Sequence, residues 1–241
     1  MSARSIVDLT GVDAVIFDKD GTLIDVHAMW GGWARRLGER LDDVIRRPVS
    51  PDVFATIGFD PTTGRVAPGA PLATGTMAGI EELVARVLRR WCPSISAARR
   101  ATAAAWLVPD PAALAVPLAD LEAIFGRLRA EGRRIAVVTT DDRASTDATL
   151  RALGVRAHVT ALVCGDDGFA VKPAPDTVFA VCHAFRIEPS DVVVVGDTPT
   201  DLAMAREAGA GRVVAVRSGL GTAEDLALAD VVIDSVADLL D

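Results

Sequence analysis

The sequence predicts an α/β fold, a parallel-sheet core with an inserted α-helical module, and three observations carry that prediction. Six short runs, apolar without polar alternation, read as parallel strands covered on both faces. Stretches of helical length lie between them, giving the strand–helix order of an open sheet with right-handed crossovers. More than a hundred residues separate the first run from the second, far beyond an ordinary crossover, and their pattern is mostly helical.

VDAVIFD (12–18) is the first strand, β-branched and stopped by charged residues. Helical patterns follow in MWGGWARRLGERLDDVIRR (29–47), GIEELVARVLRRW (79–91) and SAARRATAAAWL (96–107). Between the first two, FDPTTGRVAPGAPLATGT (59–76) is rich in Gly, Pro and Thr and reads as a loop or a pair of turns. The alternation then becomes regular. Helices at 118–132, 144–154, 175–187 and 201–210 separate strands at 135–140, 159–165, 191–197, 212–216 and 230–233, several helices ending at Gly. The expected domains are a core of residues 1–25 and 117–241 and a helical module of 26–116.

Composition narrows the functional classes. The 241 residues carry a formal charge of −8, from 25 basic and 33 acidic side chains, and half are hydrophobic. That is too apolar for a disordered chain, and with no basic tail it argues against nucleic acid as a partner. No run of 18 apolar residues predicts a membrane span, and the N-terminus lacks the basic and apolar regions of a signal peptide. Cys92, Cys164 and Cys182 form no CxxC pair, as expected of reduced thiols in a cytoplasmic protein. Residues 26–116 hold 11 Arg against 8 acids, a balance of +3 that leaves −11 for the rest. Only two basic residues are lysines, Lys19 and Lys172.

Open α/β sheets bind ligands beyond the carboxyl ends of their strands. After the first strand comes Asp18-Lys19-Asp20-Gly21-Thr22, after the second Thr139-Thr140, and after the fourth Gly196-Asp197-Thr198-Pro199-Thr200-Asp201. Lys172 lies beyond the third, on the loop that opens the next helix. Four converging carboxylates repel, each close pair by about 4 kcal/mol at 4 Å in an effective dielectric near 20. A hard dication such as Mg²⁺ answers that repulsion, so Asp18, Asp20, Asp197 and Asp201 form the candidate metal set. A metal and an ammonium beside a carboxylate suit a phosphoryl group.

The roles follow from chemistry. Asp18 can attack phosphorus and become an aspartyl-phosphate. Asp20, on the same side two residues later, can protonate the leaving oxygen and then activate water. Gly21 lets the backbone turn closely around a phosphate, with Thr139, Thr140 and Lys172 as further substrate contacts. Asp201 would orient Lys172 or a metal-bound water. Lys19 should point away from Asp18 and Asp20, as a surface charge or one supporting the site from behind.

DKDGT, the Thr closing IAVVTT, Lys172 and GDTPTD, in this order, resemble the four motifs of the haloacid dehalogenase (HAD) superfamily. KPAPD followed by VGDTPTDLAMAREAGA is similar to its phosphoglycolate phosphatase-like branch. The resemblance spans roughly residues 12 to 241. It implies a Rossmann-like core, a helical cap inserted after the first motif, and Mg²⁺-dependent hydrolysis of a small phosphorylated metabolite. It also implies that Asp18, Asp197 and the backbone carbonyl of Asp20 hold the metal. Asp20 fits phosphatases and phosphomutases and not dehalogenases, which lack an acid there. The leading expectation is a phosphatase acting on a phosphoglycolate-like or sugar phosphate. A phosphomutase and a catalytically silent binding or scaffold protein are the alternatives.

The 26–116 segment would set substrate choice. His27, Met29 and Trp30 follow the first motif closely and are candidates to line a cleft, His27 being the chosen substrate contact. Trp30 and Trp33 are expected to serve packing. The segment has no Lys, which excludes Schiff-base chemistry from it. Oligomeric state is not legible.

Overall fold

The computed structural model describes residues 7–240, which form two compact units. Val26–Leu114 is one; the described residues on either side of it form the other.

The flanking segments build a six-stranded sheet, parallel throughout. Its strands are β1 (Ala14–Phe17), β4 (Arg134–Val138), β5 (Val159–Val163), β6 (Val192–Gly196), β7 (Arg212–Val216) and β8 (Val231–Ile233), with β2 (Phe59–Asp60) and β3 (Arg65–Val66) lying in the helical unit. The order is β5-β4-β1-β6-β7-β8. All six predicted strands are present. Every residue of β1 and β6 is buried, as runs without polar alternation require when both faces are covered.

On one face Ile16, Ala136 and Val194 pack with Val178 and Val181 of helix Asp176–Phe185 and with Leu202 and Ala205 of helix Pro199–Ala208. On the other, Phe17 meets Phe125 of helix Leu121–Ala130 at a ring separation of 5.2 Å. Each fully buried side chain of this kind contributes about 1.5–3 kcal/mol.

β1 is the switch point. The chain passes from β1 to β4 and β5 on one side, then crosses to β6, β7 and β8 on the other. Phe17 is level with both Val137 and Val195, so the carboxyl ends of β4, β1 and β6 open at one height. A crevice at such a reversal is where open α/β sheets hold ligands. After Asp25 the backbone leaves this unit, and it rejoins beside the exit, Asp25 N–H donating to Val116 O at 2.8 Å.

The Val26–Leu114 unit consists mainly of helices Val26–Ile45, Ser50–Ile57, Met77–Leu88 and Ile95–Ala105. Trp33 is its buried centre, with its ring edge-on to Trp30 and Trp106 and its indole N–H donating to Leu107 O at 2.9 Å. The Gly/Pro/Thr-rich stretch forms a small antiparallel hairpin, β2 (Phe59–Asp60) with β3 (Arg65–Val66), followed by the short helix Pro71–Thr74.

Candidate active site

The turn after β1 folds back on itself, with Leu23 and Ile24 N–H both donating to Lys19 O and Gly21 N–H donating to Ile24 O at 2.7 Å. Gly21 makes this possible. Its φ is +91°, and a Cβ there would lie 2.4 Å from Asp197 Oδ2. Asp18 continues the strand by donating its N–H to Val195 O at 2.9 Å, which seats its side chain at the mouth of the crevice.

Asp18, Asp197 and Asp201 come together, one carboxylate oxygen from each lying within 4.8 Å of the others. Lys172 Nζ bridges two of them, 2.5 Å from Asp18 Oδ1 and 2.6 Å from Asp201 Oδ1. The remaining Asp201 oxygen closes a capping box, accepting from Thr198 N–H at 3.0 Å and Thr198 Oγ1 at 2.6 Å at the start of helix Pro199–Ala208. Asp197 is fully buried and accepts from Thr22 Oγ1 at 3.1 Å and Leu220 N–H at 2.8 Å. Backbone must pass very close for this, and Gly219 permits it: a Cβ there would overlap Asp197.

The electrostatics show a surplus of buried negative charge. Burial pushes the Asp18 carboxyl up to about 7 against the pull of Lys172, and Asp201 and Asp20 add to the rise. Burial, then Asp18 and Asp201, also hold Asp197 well above the usual carboxylate range. Burial works against the Lys172 ammonium, but Asp18 and Asp201 outweigh it and raise its pKa above the ordinary lysine value. Lys172 alone does not neutralise three carboxylates. Three oxygen donors, short of positive charge and converging at a sheet edge, fit a hard divalent cation such as Mg²⁺.

The other expected residues are placed as follows. The Asp20 carboxylate lies outside this trio, its Oδ2 2.8 Å from Lys19 Nζ. Thr139 is buried at the end of β4, where its Oγ1 accepts from Asp141 N–H at 3.1 Å, and Thr140 follows half-buried. His27 belongs to the helical unit, where its Nδ1 accepts from Val66 N–H at 3.1 Å.

Lys19 differs from the sequence expectation in turning towards Asp20 rather than away from it, and of the two expected places it takes the one behind the site and not the surface. It is fully buried, held between Asp20 and Asp141, the latter at 3.0 Å. Alternation along a strand does not extend into a turn, and a four-carbon stem reaches around it. Asp141, Ser218 and Leu220 were not found from sequence. Ser218 donates to Gly21 O at 2.9 Å. A signal existed for each: Asp141 follows Thr139-Thr140 directly, and Ser218-Gly219-Leu220-Gly221 trails β7 as a Gly-rich strand end.

The model of the haloacid dehalogenase-like hydrolases matches residues 12–209. The chain belongs to that family. Among its relatives, a phosphoglycolate phosphatase of Rhodospirillum rubrum is 31% identical over 209 residues, covering 83% of this chain and 78% of that protein. A plasmid-borne phosphoglycolate phosphatase of Cupriavidus necator is 36% identical over 118 residues, 48% of this chain and about half (51%) of its own length. A solved structure of a predicted phosphoglycolate phosphatase from Haemophilus somnus superposes with a TM-score of 0.68 at 19% identity, covering 97% of this chain and 98% of that one, which bears on the fold. Such relatives put the chain among the phosphoric monoester hydrolases of its family.

Proposed function

We propose that the protein is a Mg²⁺-dependent phosphatase that hydrolyses a small phosphate monoester of the phosphoglycolate class through an aspartyl-phosphate on Asp18. The observation that carries this is Lys172 bridging Asp18 and Asp201 beside buried Asp197 at the switch point of a parallel sheet. The substrate class rests on the Rhodospirillum rubrum relative.

In this reading an oxygen of Asp18 forms a bond to phosphorus while the bond from phosphorus to the alcohol oxygen breaks, and Asp20 gives that oxygen its proton. A water then bonds to phosphorus, its proton goes to Asp20, and the Asp18–phosphorus bond breaks to release inorganic phosphate. Lys172 holds Asp18 in place and offers its charge to the phosphoryl oxygens, while Asp201 aims Lys172 from behind. Thr139, Thr140 and the Gly21 turn would grip the phosphate. Mg²⁺ would be held by Asp18, Asp197 and the Asp20 backbone carbonyl, with Asp201 beside them, and when bound it supplies charge stabilisation to the phosphoryl oxygens.

Residues 1–25 and 117–241 act in this reading as the catalytic core and 26–116 as the cap that selects the substrate, with His27 a contact from that side. Among the described residues no helix is long and apolar enough to cross a membrane, and Cys92, Cys164 and Cys182 are unpaired thiols. A cytoplasmic enzyme acting on a small metabolite is consistent with both.

The test is phosphate release from a panel of monoesters with Mg²⁺, run beside Asp18→Asn. We expect turnover of phosphoglycolate or a near relative, a loss of about 10³-fold or more in Asp18→Asn, and no turnover in excess EDTA. Activity that survives either change overturns the reading.

A further inference from the structure

Lys19 is the one lysine for which the proposed chemistry leaves no part. It lies between the nucleophile and the acid/base residue, is fully buried, and carries its ammonium 2.8 Å from Asp20 Oδ2 and 3.0 Å from Asp141 Oδ2. Asp141 in turn accepts from Asp142 N–H at 2.8 Å through Oδ1, and its own N–H donates to Thr139 Oγ1 at 3.1 Å. That last bond occupies a lone pair of the Thr139 hydroxyl and leaves its proton to donate elsewhere. A continuous path therefore runs from Asp20 through Lys19 and Asp141 to Thr139.

Stability does not account for it. Burying an ammonium costs several kcal/mol, and a buried ion pair often holds a fold no better than apolar residues of the same volume. Leu23 and Ile24 of the same turn are fully buried, so an apolar side chain is at home in it.

We propose that Lys19 is a positioning residue that holds the Asp20 carboxyl in line for proton transfer and, through Asp141, aims the Thr139 hydroxyl at the phosphate. This rests on the aspartyl-phosphate reading above. Its consequence depends on the leaving group. An alkoxide leaving group needs the Asp20 proton when the phosphorus–oxygen bond breaks, whereas p-nitrophenolate departs without one. The second step needs Asp20 for both substrates.

The variants are Lys19→Met and the double variant Lys19→Met/Asp141→Asn, which removes the unpaired buried carboxylate in case the single variant folds poorly. Both are compared with wild type on 2-phosphoglycolate and on p-nitrophenyl phosphate, with Mg²⁺. We expect kcat on 2-phosphoglycolate to fall about 10²-fold with KM little changed. On p-nitrophenyl phosphate we expect a rapid burst of one nitrophenolate per enzyme, followed by slow turnover. Loss of equal size on both substrates without a burst, or wild-type kcat in the folded double variant, overturns the role given to Lys19. Asp18→Asn is the control that separates this from the parent reading. If Asp18→Asn turns over normally, or wild type hydrolyses no ester of the panel above, the phosphatase reading fails and the Lys19 role falls with it. If wild type is active, Asp18→Asn dead and the Lys19 variants unimpaired, only the Lys19 role fails.

Discussion

Asp18 and Gly21, three residues apart, impose opposite demands on one turn: the first needs a strand to aim it, the second a backbone few residues tolerate. Gly21 has a φ of +91° and stands where a Cβ would come within 2.4 Å of Asp197 Oδ2. Gly21→Ala should therefore do two things. The left-handed backbone costs about 1–3 kcal/mol, lowering the melting temperature, and the methyl displaces Asp197 from the site. We expect the Mg²⁺ concentration for half-maximal activity to rise about 10-fold, equivalent to about 1.4 kcal/mol; an unchanged Mg²⁺ titration in a folded variant contradicts the assignment of Asp197. The DKDGT motif made Asp18, Asp20 and Gly21 legible as a chemical unit. The ion pairs of Lys19 were not legible, because Asp141 is 122 positions away and reaches it only through the pairing of β1 with β4.

Helix Pro199–Ala208 shows how an element serves two ends. Thr198 caps it, Pro199 stands in its first turn, and Gly209 closes it in the left-handed conformation at φ +74°. The capping residues were visible in GDTPTD. Their double use was not, since the capping carboxylate of Asp201 turns its other oxygen to Lys172. Thr198→Ala should lower stability by about 1 kcal/mol, the usual value of a lost cap, and also loosen Asp201. A fall in kcat alongside the fall in melting temperature is expected. A stability loss with full activity would leave Asp201 as a helix cap alone.

The helical unit shows the reverse case, in which an element carries local signals at its ends but too short an apolar period. Ser50–Ile57 opens on Ser50-Pro51 and ends at Gly58 with φ +78°, yet no helix was expected between 47 and 59. The hairpin of β2 and β3 is too short for its period to register, and a two-stranded ribbon of this length is at best marginally stable without the helices it lies against.

Across the whole molecule the surplus of buried acid predicts a link between pH, metal and stability. In the metal-free fold the Asp18 carboxyl sits near 7, while in the unfolded chain it returns to about 4. The folded state thus binds more protons between those values, and its stability falls as pH rises through them. Mg²⁺ takes the place of those protons, so its stabilising effect should grow over the same interval. Melting temperatures measured with Mg²⁺ and with EDTA should diverge as pH is raised from about 4.5 to about 7.5. A gap that stays constant across that range would mean that the cluster does not bind the metal.

The strands, the long helices and the insertion were legible in the chain, because apolar runs and helical periods are local properties. The motifs also mark candidate chemistry at the strand ends, since Asp18, Thr139 and Asp197 each directly follow a strand and Lys172 lies on the loop that leads from β5 to the next helix. Which of those groups meet depends on the packed fold. Placing β1 between β4 and β6 brings Asp18 beside Asp197, sets Asp201 against Lys172, and buries Lys19 between Asp20 and Asp141. Charges so far apart in the chain become partners only when a sheet fixes their separation and excludes water, and that dependence is not written in any one segment.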